Sequence, residues 1–248
     1  MSSAPLLEMR QISKRFGNTQ ALDRVTFSAV AGEVHAISGE NGAGKSTLMK
    51  ILSGAVQADS GEVLLDGNPV TIQSPRDAHD LGIHTVYQEF SLVGHLSVTE
   101  NILMGRLPRS PRTHLIDWAA AHRRAREVLG QLGFADFDVK QKVSRLSVPL
   151  QQMVELAKAI VEEPRILILD EPSAVLSRNE LALLMDLIRR LRDQGLLVLY
   201  ISHRLDELFT IADRITVLKD GELVDTLMTA QATEDQLITL MVVRTLDE

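Results

Sequence analysis

The chain contains no cysteine. Disulfides, thiolate metal ligands and thiol nucleophiles are therefore excluded, and the absence suits a reducing compartment. Long hydrophobic runs are missing too. The most apolar stretches, around Ile166–Leu169 and Leu196–Ile201, are far shorter than the ~20 residues a membrane-spanning helix needs. Met1-Ser2-Ser3-Ala4-Pro5 leads into no apolar signal core. The expectation is a soluble protein that meets a membrane only through a partner. Positive charge is in deficit, with 26 Lys and Arg against 33 Asp and Glu and a net charge of -7. That argues against nucleic acid as a partner, though not against a local basic patch. Internal repeats and low-complexity tracts are absent. What the chain does have is a 45% hydrophobic composition, enough for a packed core. Its 248 residues fit one large domain or one domain with two lobes.

Short apolar runs alternate with helical patterns, which predicts an α/β fold around a largely parallel sheet. Leu6–Ile12, Arg24–Ala29 and Glu62–Leu65 read as early strands, with Asp66-Gly67 as a turn. Ile166–Leu169, Leu197–Ser202 and Arg214–Leu218 read as later strands, separated by helices over Glu180–Arg192 and Leu205–Ala212. From about Ser91 to Glu163 the strand signal disappears. Trp118–Leu132 and Leu150–Val161 carry apolar residues at helical spacing. Gly105 to Asp117, with Pro108, Pro111 and three arginines, reads as an exposed loop. The expected organisation is a single domain with an α/β lobe (about residues 1–90 and 164–248) and an inserted helical lobe (about 91–163). Glu100-Asn101, Arg123-Arg124 and Glu162-Glu163 read as solvated helix faces or ends.

Gly39-Glu40-Asn41-Gly42-Ala43-Gly44-Lys45-Ser46 fits the phosphate-loop pattern G-x-x-x-x-G-K-[ST]. Its flanks fit as well: Val34–Ser38 reads as a strand and Thr47–Leu52 as a helix. Glycines there let backbone N–H groups close on phosphate oxygens, and the helix N-terminus adds partial positive charge. Lys45 is suited to β- and γ-phosphates and the Ser46 hydroxyl to Mg²⁺. Ile166-Leu167-Ile168-Leu169-Asp170-Glu171 is a buried strand delivering two carboxylates at its C-terminal end, where ligands gather in parallel sheets. Asp170 is suited to hold Mg²⁺ through water, and Glu171 to polarise an attacking water. His203 ends another apolar strand; a histidine there can bond a γ-phosphate, and the alternative is a structural role. Gln88, in Val86-Tyr87-Gln88-Glu89, ends another strand-like run; it can reach a metal or an attacking water, or else is an ordinary loop glutamine. Phe16, in Lys14-Arg15-Phe16-Gly17, is either a base-stacking ring or a core aromatic.

The ordered set Phe16, Gly39–Ser46, Gln88, Leu146-Ser147, Asp170-Glu171 and His203 resembles the nucleotide-binding domain of ATP-binding-cassette (ABC) proteins over nearly the whole chain. The resemblance implies a P-loop NTPase core with a mainly parallel sheet, an antiparallel β element near the N-terminus and an inserted helical lobe. It implies ATP and Mg²⁺ as ligands, the nucleotide extending its contacts to Thr47. It also implies a second nucleotide-binding domain in cis or in trans, integral-membrane permease subunits docking near the helical lobe and the segment after Gln88, and, indirectly, a periplasmic solute-binding protein. The chain would then sit at the cytoplasmic face of the inner membrane. A narrower resemblance is carried by Gln151-Gln152-Met153-Val154-Glu155-Leu156-Ala157-Lys158-Ala159, Val86–Glu89 and Tyr200–Arg204. These look like the ATPases of ribose/galactose/xylose-type sugar importers, which carry two cassettes on one polypeptide. Thr233–Leu237 through Met241–Arg244 looks like the end of the first cassette, so the resemblance implies a first half, truncated or separately encoded.

Two departures stand out. The family signature Leu-Ser-Gly-Gly-Gln is replaced by Leu146-Ser147-Val148-Pro149-Leu150. Pro149 has no N–H to offer a phosphate held by an opposing domain, although proline suits the first turn of a helix. A degenerate first-domain signature is common in the sugar-importer group. Ser177 stands where the family usually has aspartate. Other readings are an importer ATPase for another small polar solute, a soluble ABC ATPase of translation or DNA repair, and a regulator that binds ATP without turnover. The second lacks the coiled coils, zinc modules or basic linkers it would need; the third is opposed by Glu171 and His203.

Overall fold

Leu7–Phe16 (β1) and Thr19–Ala29 (β2) alternate buried and exposed positions, the pattern of an antiparallel pair with one face on a core. They open the computed structural model, which describes residues 4–87, 91–134, 136–173 and 176–242. Ser60–Leu65 (β4) and Asn68–Val70 (β5) complete a sheet of order β2-β1-β4-β5, with the short turn at Asp66 and Gly67 at positive φ, 50° and 74°. A second, six-stranded sheet has a different character. It uses Val34–Ser38 (β3), Ile83–Val86 (β6), Ile166–Asp170 (β7), Leu197–Ile201 (β8), Arg214–Lys219 (β9) and Glu222–Met228 (β10) in the order β10-β9-β3-β8-β7-β6. Strands β3 and β8 are buried at every position. Such continuous burial is expected of parallel strands covered on both faces.

Register decides where the chemistry falls. Ile37 of β3 pairs with Ile201 of β8, and Ile201 pairs with Asp170 of β7, all in parallel. The C-terminal ends of three neighbouring strands are therefore level.

The helices are Lys45–Leu52 (α1), Pro75–Asp80 (α2), Val98–Ile102 (α3), Trp118–Gln131 (α4), Val148–Ile160 (α5), Arg178–Asp193 (α6), Leu205–Ile211 (α7) and Glu234–Val242 (α8). Helix α1 buries Leu48, Met49, Ile51 and Leu52 in a core shared with Phe27, Ile37, Ile168 and Leu199. At roughly 1.5–3 kcal/mol for each fully buried aliphatic side chain, that anchor is substantial. The chain divides into two compact units. One comprises Met1–Thr85, Arg165–Glu171 and Ile188–Glu248; the other comprises Val86–Pro164 and Pro172–Leu187. The second unit holds α3, α4, α5 and the first part of α6; among the described residues its only strand content is Val86 at the end of β6 and isolated bridges.

The predicted strands and helices are present with ends shifted by a few residues. Five elements were not foreseen: β5, α2, α3, β10 and α8. The first three are three to six residues long, too short for a period to be read. The reading of Glu100-Asn101 as solvated is corrected. Glu100 and Ser97 form a reciprocal capping box on α3. Asn101 is fully buried, accepts from Val93 N–H at 2.7 Å, and donates to the carbonyls of Val93 and Ser97.

Candidate nucleotide site

Strand β3 runs straight into the glycine loop, and the loop into α1. Two of its glycines are required by space as well as by backbone angle. Gly39 has φ 149°, and a Cβ on it would lie 2.2 Å from the Leu218 carbonyl oxygen; Gly44 has φ 104°, and a Cβ there would lie 2.7 Å from the Ala21 carbonyl oxygen. Gly42, at φ 87°, has no atom within 4 Å of that position, so only its conformation asks for glycine. The loop is tied down from outside, with Gly221 N–H donating to Ala43 O at 3.2 Å. Gly44 caps α1 without a side chain, so the first N–H groups of the helix have no cap acceptor and remain available to an anion.

Lys45 is buried, and its ammonium lies inside the loop, donating to Gly39 O at 2.6 Å and Glu40 O at 2.9 Å. Burial pushes its pKa down, while the charges of Glu171 and Asp170 oppose the shift. Ser46 is exposed and Thr47 half-buried. Asp170 ends β7. Burial and then the neighbouring Glu171 raise its pKa, with Lys50 and Lys45 acting against them.

Glu171 follows with φ 47°, its N–H bonded to Ile201 O at 3.0 Å. His203, just past β8, places Nδ1 3.0 Å from Glu171 Oε1. The fold therefore brings the glycine loop, the carboxylate pair and the histidine to one sheet edge. Phe16, at the end of β1, is 49% exposed, which removes the core-aromatic reading. Gln88 lies outside the described residues.

In the second unit, α5 starts directly after Ser147, which makes no side-chain cap bond, and Pro149 occupies the first turn. Val148 is exposed, and Pro149 and Leu150 border an apolar cavity of about 240 Å³ with Phe134, Met153, Leu176 and Leu183. The signature segment thus presents apolar side chains and one missing N–H. Ser177 N–H donates to Glu180 at 2.8 Å at the start of α6. Sequence reasoning read Glu155 and Lys158 only as part of the Gln151–Ala159 resemblance and did not foresee their contact with Ser91. Both bond Ser91: its hydroxyl donates to Glu155 at 3.3 Å and accepts from Lys158 Nζ at 2.7 Å. Nothing in residue type singles these two out, because the contact spans a long stretch of sequence.

Comparison with known proteins agrees with this geometry. The chain is 51% identical to the ribose import ATP-binding protein RbsA 1 of Rubrobacter xylanophilus over 98% of its own length and 48% of that protein. It is 45% identical to the ribose import ATP-binding protein RbsA 2 of Escherichia coli O157:H7 over 100% of its length and 48% of that protein. It thus spans about half the length of these curated relatives. A crystal structure of an ATP-binding cassette of an ABC transporter, in its ADP conformation, matches with a TM-score of 0.81 and 26% identity over 96% of this chain and 94% of that one. A nucleotide-free cassette from an ABC transporter matches with a TM-score of 0.79 and 26% identity, over 95% and 94%. The family called ABC transporter matches residues 22–174, from β2 through the glycine loop to just past the Asp170-Glu171 pair. A phosphate loop, a carboxylate-ended strand and a family match covering both leave one assignment: the chain belongs to the ABC transporter family.

Proposed function

We propose that this chain is the ATP-binding and ATP-hydrolysing part of an importer that energises uptake of a sugar, most simply a monosaccharide. The carrying observation is the level register of β3, β8 and β7, which aligns the glycine loop, His203 and the Asp170-Glu171 pair at one edge. The relatives named for ribose import support the substrate class. In this reading Gly39, Glu40, Asn41, Gly42, Ala43, Gly44 and Thr47 surround the phosphates with backbone N–H groups, and Phe16 stacks on adenine. Lys45 exchanges its loop carbonyls for β- and γ-phosphate oxygens, a charge-assisted bond worth roughly 1.5–3 kcal/mol.

The residues present fit Mg²⁺. Ser46 offers a hydroxyl at the start of α1, and Asp170 a carboxylate at the end of β7, both hard oxygen donors of the kind Mg²⁺ takes. With Gln88 these residues would hold the ion, which would supply positive charge against the charge developing on the phosphates. Glu171 orients the attacking water, and His203 holds that carboxylate in place. The single domain divides into an ATP-binding lobe and a helical lobe. ATP is sandwiched between this domain's loop and the signature of a second cassette, in cis or in trans; closing and reopening of that pair drives permease subunits, with a periplasmic solute-binding protein upstream. No helix among the described residues is long and apolar enough to cross a membrane. The place this reading gives the chain is the cytoplasmic face of the inner membrane, held by the permease. The test is calorimetric titration of Mg-ATP into the chain and into Lys45→Ala. The expected result is affinity lowered by about tenfold or more in the variant; equal affinity would refute the phosphate-loop assignment.

A further inference from the structure

Strand β1 outlives one of its partners. It pairs with β4 only as far as Ser13, opposite Ser60, while on its other side it continues against β2 through Lys14, Arg15 and Phe16. The last stretch of β1 thus has a free edge, where an unpaired N–H and a flexible strand end would be expected. Asp59, the residue before β4, fills that edge. Its own N–H donates to Ser13 O at 2.9 Å. Its carboxylate accepts the Arg15 N–H at 2.7 Å through Oδ2 and the Lys14 ammonium at 2.7 Å through Oδ1. A side chain therefore extends the ladder that the backbone of β4 has left.

The same contacts fix the surroundings of Phe16. Lys14 is 15% exposed along its side chain, far less than a surface lysine of a strand end, and its ammonium lies 5.5 Å from the centre of the Phe16 ring. That distance is within the range of a cation–π contact. One ring face is thereby engaged by a cation that Asp59 holds, and the ring itself remains half-exposed. The Asp59 carboxyl sits below the usual carboxylate range because Lys14 and then the Arg15 N–H bond its ionised form. We propose that Asp59 and Lys14 are positioning residues for the Phe16 ring, presenting its open face to a nucleobase.

This inference rests on the reading of Phe16 as the base-stacking residue. A contact that serves only the base separates from one that serves the fold, because inorganic tripolyphosphate carries the phosphates without the base. Affinities for Mg-ATP and for Mg-tripolyphosphate are to be measured by calorimetry on the 248-residue chain, its Phe16→Ala, Asp59→Ala and Asp59→Asn variants, and the Phe16→Ala/Asp59→Ala double variant. Phe16→Ala should weaken ATP about tenfold and leave tripolyphosphate unchanged. Asp59→Ala should weaken ATP by about threefold or more, also sparing tripolyphosphate, and should add nothing in the Phe16→Ala background. Asp59→Asn keeps an acceptor for the Arg15 N–H and should fall between. Should Asp59→Ala fail to fold, Lys14→Met carries the same comparison. An Asp59→Ala variant that weakens both ligands equally, or neither, or that adds fully to Phe16→Ala, overturns the proposal while leaving Phe16 in its role. If Phe16→Ala itself spares ATP, the stacking reading falls and the positioning role with it.

Discussion

His203 Nδ1 lies 3.0 Å from Glu171 Oε1, joining residues that follow two neighbouring parallel strands. An ionised carboxylate only accepts, so Nδ1 is the donor in this pair. Glu171 is held a second time by its backbone. A non-glycine residue at φ 47° is strained by roughly 1 kcal/mol, and here the Glu171 N–H bond to Ile201 O retains it.

From that arrangement, Glu171→Gln in the complete two-cassette assembly should bind ATP about as the parent does but release phosphate about 10²–10⁴-fold more slowly. Glutamine keeps the hydrogen bond to His203 and loses the charge that polarises water. Steady-state phosphate release and nucleotide retention check it. Loss of ATP binding together with turnover would assign Glu171 to nucleotide holding instead.

The first turn of α5 yields a prediction about partners. Pro149 removes one N–H where the family places glycine, and Val148 and Leu150 flank it with apolar side chains. A symmetric pair of this chain would lack that donor over both ATP molecules. Trans-acting donors can supply large factors in phosphoryl transfer; an arginine finger gives roughly 10³–10⁵, an upper guide for a neutral amide. The isolated chain should therefore bind ATP and hydrolyse it slowly at all concentrations, and a cassette with an intact signature should restore turnover. A steep rise in rate at micromolar protein would show that a homodimer suffices.

Gly39→Ala and Gly42→Ala separate steric from conformational demand in one loop. The new Cβ at position 39 would meet the Leu218 carbonyl at 2.2 Å; at position 42 it would meet nothing within 4 Å. Gly39→Ala should lower stability by about 2 kcal/mol or more, a melting-temperature drop of about 4–8 °C. Gly42→Ala should cost about 1 kcal/mol. Thermal melts of both variants decide; equal shifts would show that the loop yields freely at Gly39.

The start of β3 makes the protein acid-sensitive. Glu33 accepts from Val30 N–H, from Arg214 through both carboxylate oxygens, and from His35 Nδ1, while His35 Nε2 accepts from Thr216 at 2.7 Å. Burial opposes ionisation of Glu33, but the bonds from His35 and Arg214 outweigh it and hold its pKa at about 2. Burial lowers the pKa of His35, with Glu33 opposing the shift. Both folded pKa values lie below their unfolded ones, so the unfolded chain binds more protons and stability is lost as pH falls. The loss should begin below the unfolded histidine value of 6.5 and deepen from 4.5 toward 2. His35→Gln should flatten the melting-temperature slope between about pH 7 and 5. An unchanged slope would place the acid lability elsewhere.

What the sequence determined by itself was local chemistry. The glycine loop was legible because the G-x-x-x-x-G-K-[ST] pattern is written in residue types at fixed spacing. The buried strands were legible because sheets covered on both faces require unbroken apolar runs, as in Ile166–Leu169 and Leu197–Ile201. The replaced signature was equally plain, since a proline without an N–H is a property of one residue. Only the tertiary structure decided which of these residues meet. His203 and Glu171 come together through strand order and register, neither of which a single sequence states. The burial of Asn101 was not readable because its five-residue helix is too short to show a period. Asp59 acts on Phe16 because β4 stops where β1 continues. Local spacing constrains a chain over a turn or two; contacts between distant segments depend on how strands pair, and pairing is settled by packing of the whole core.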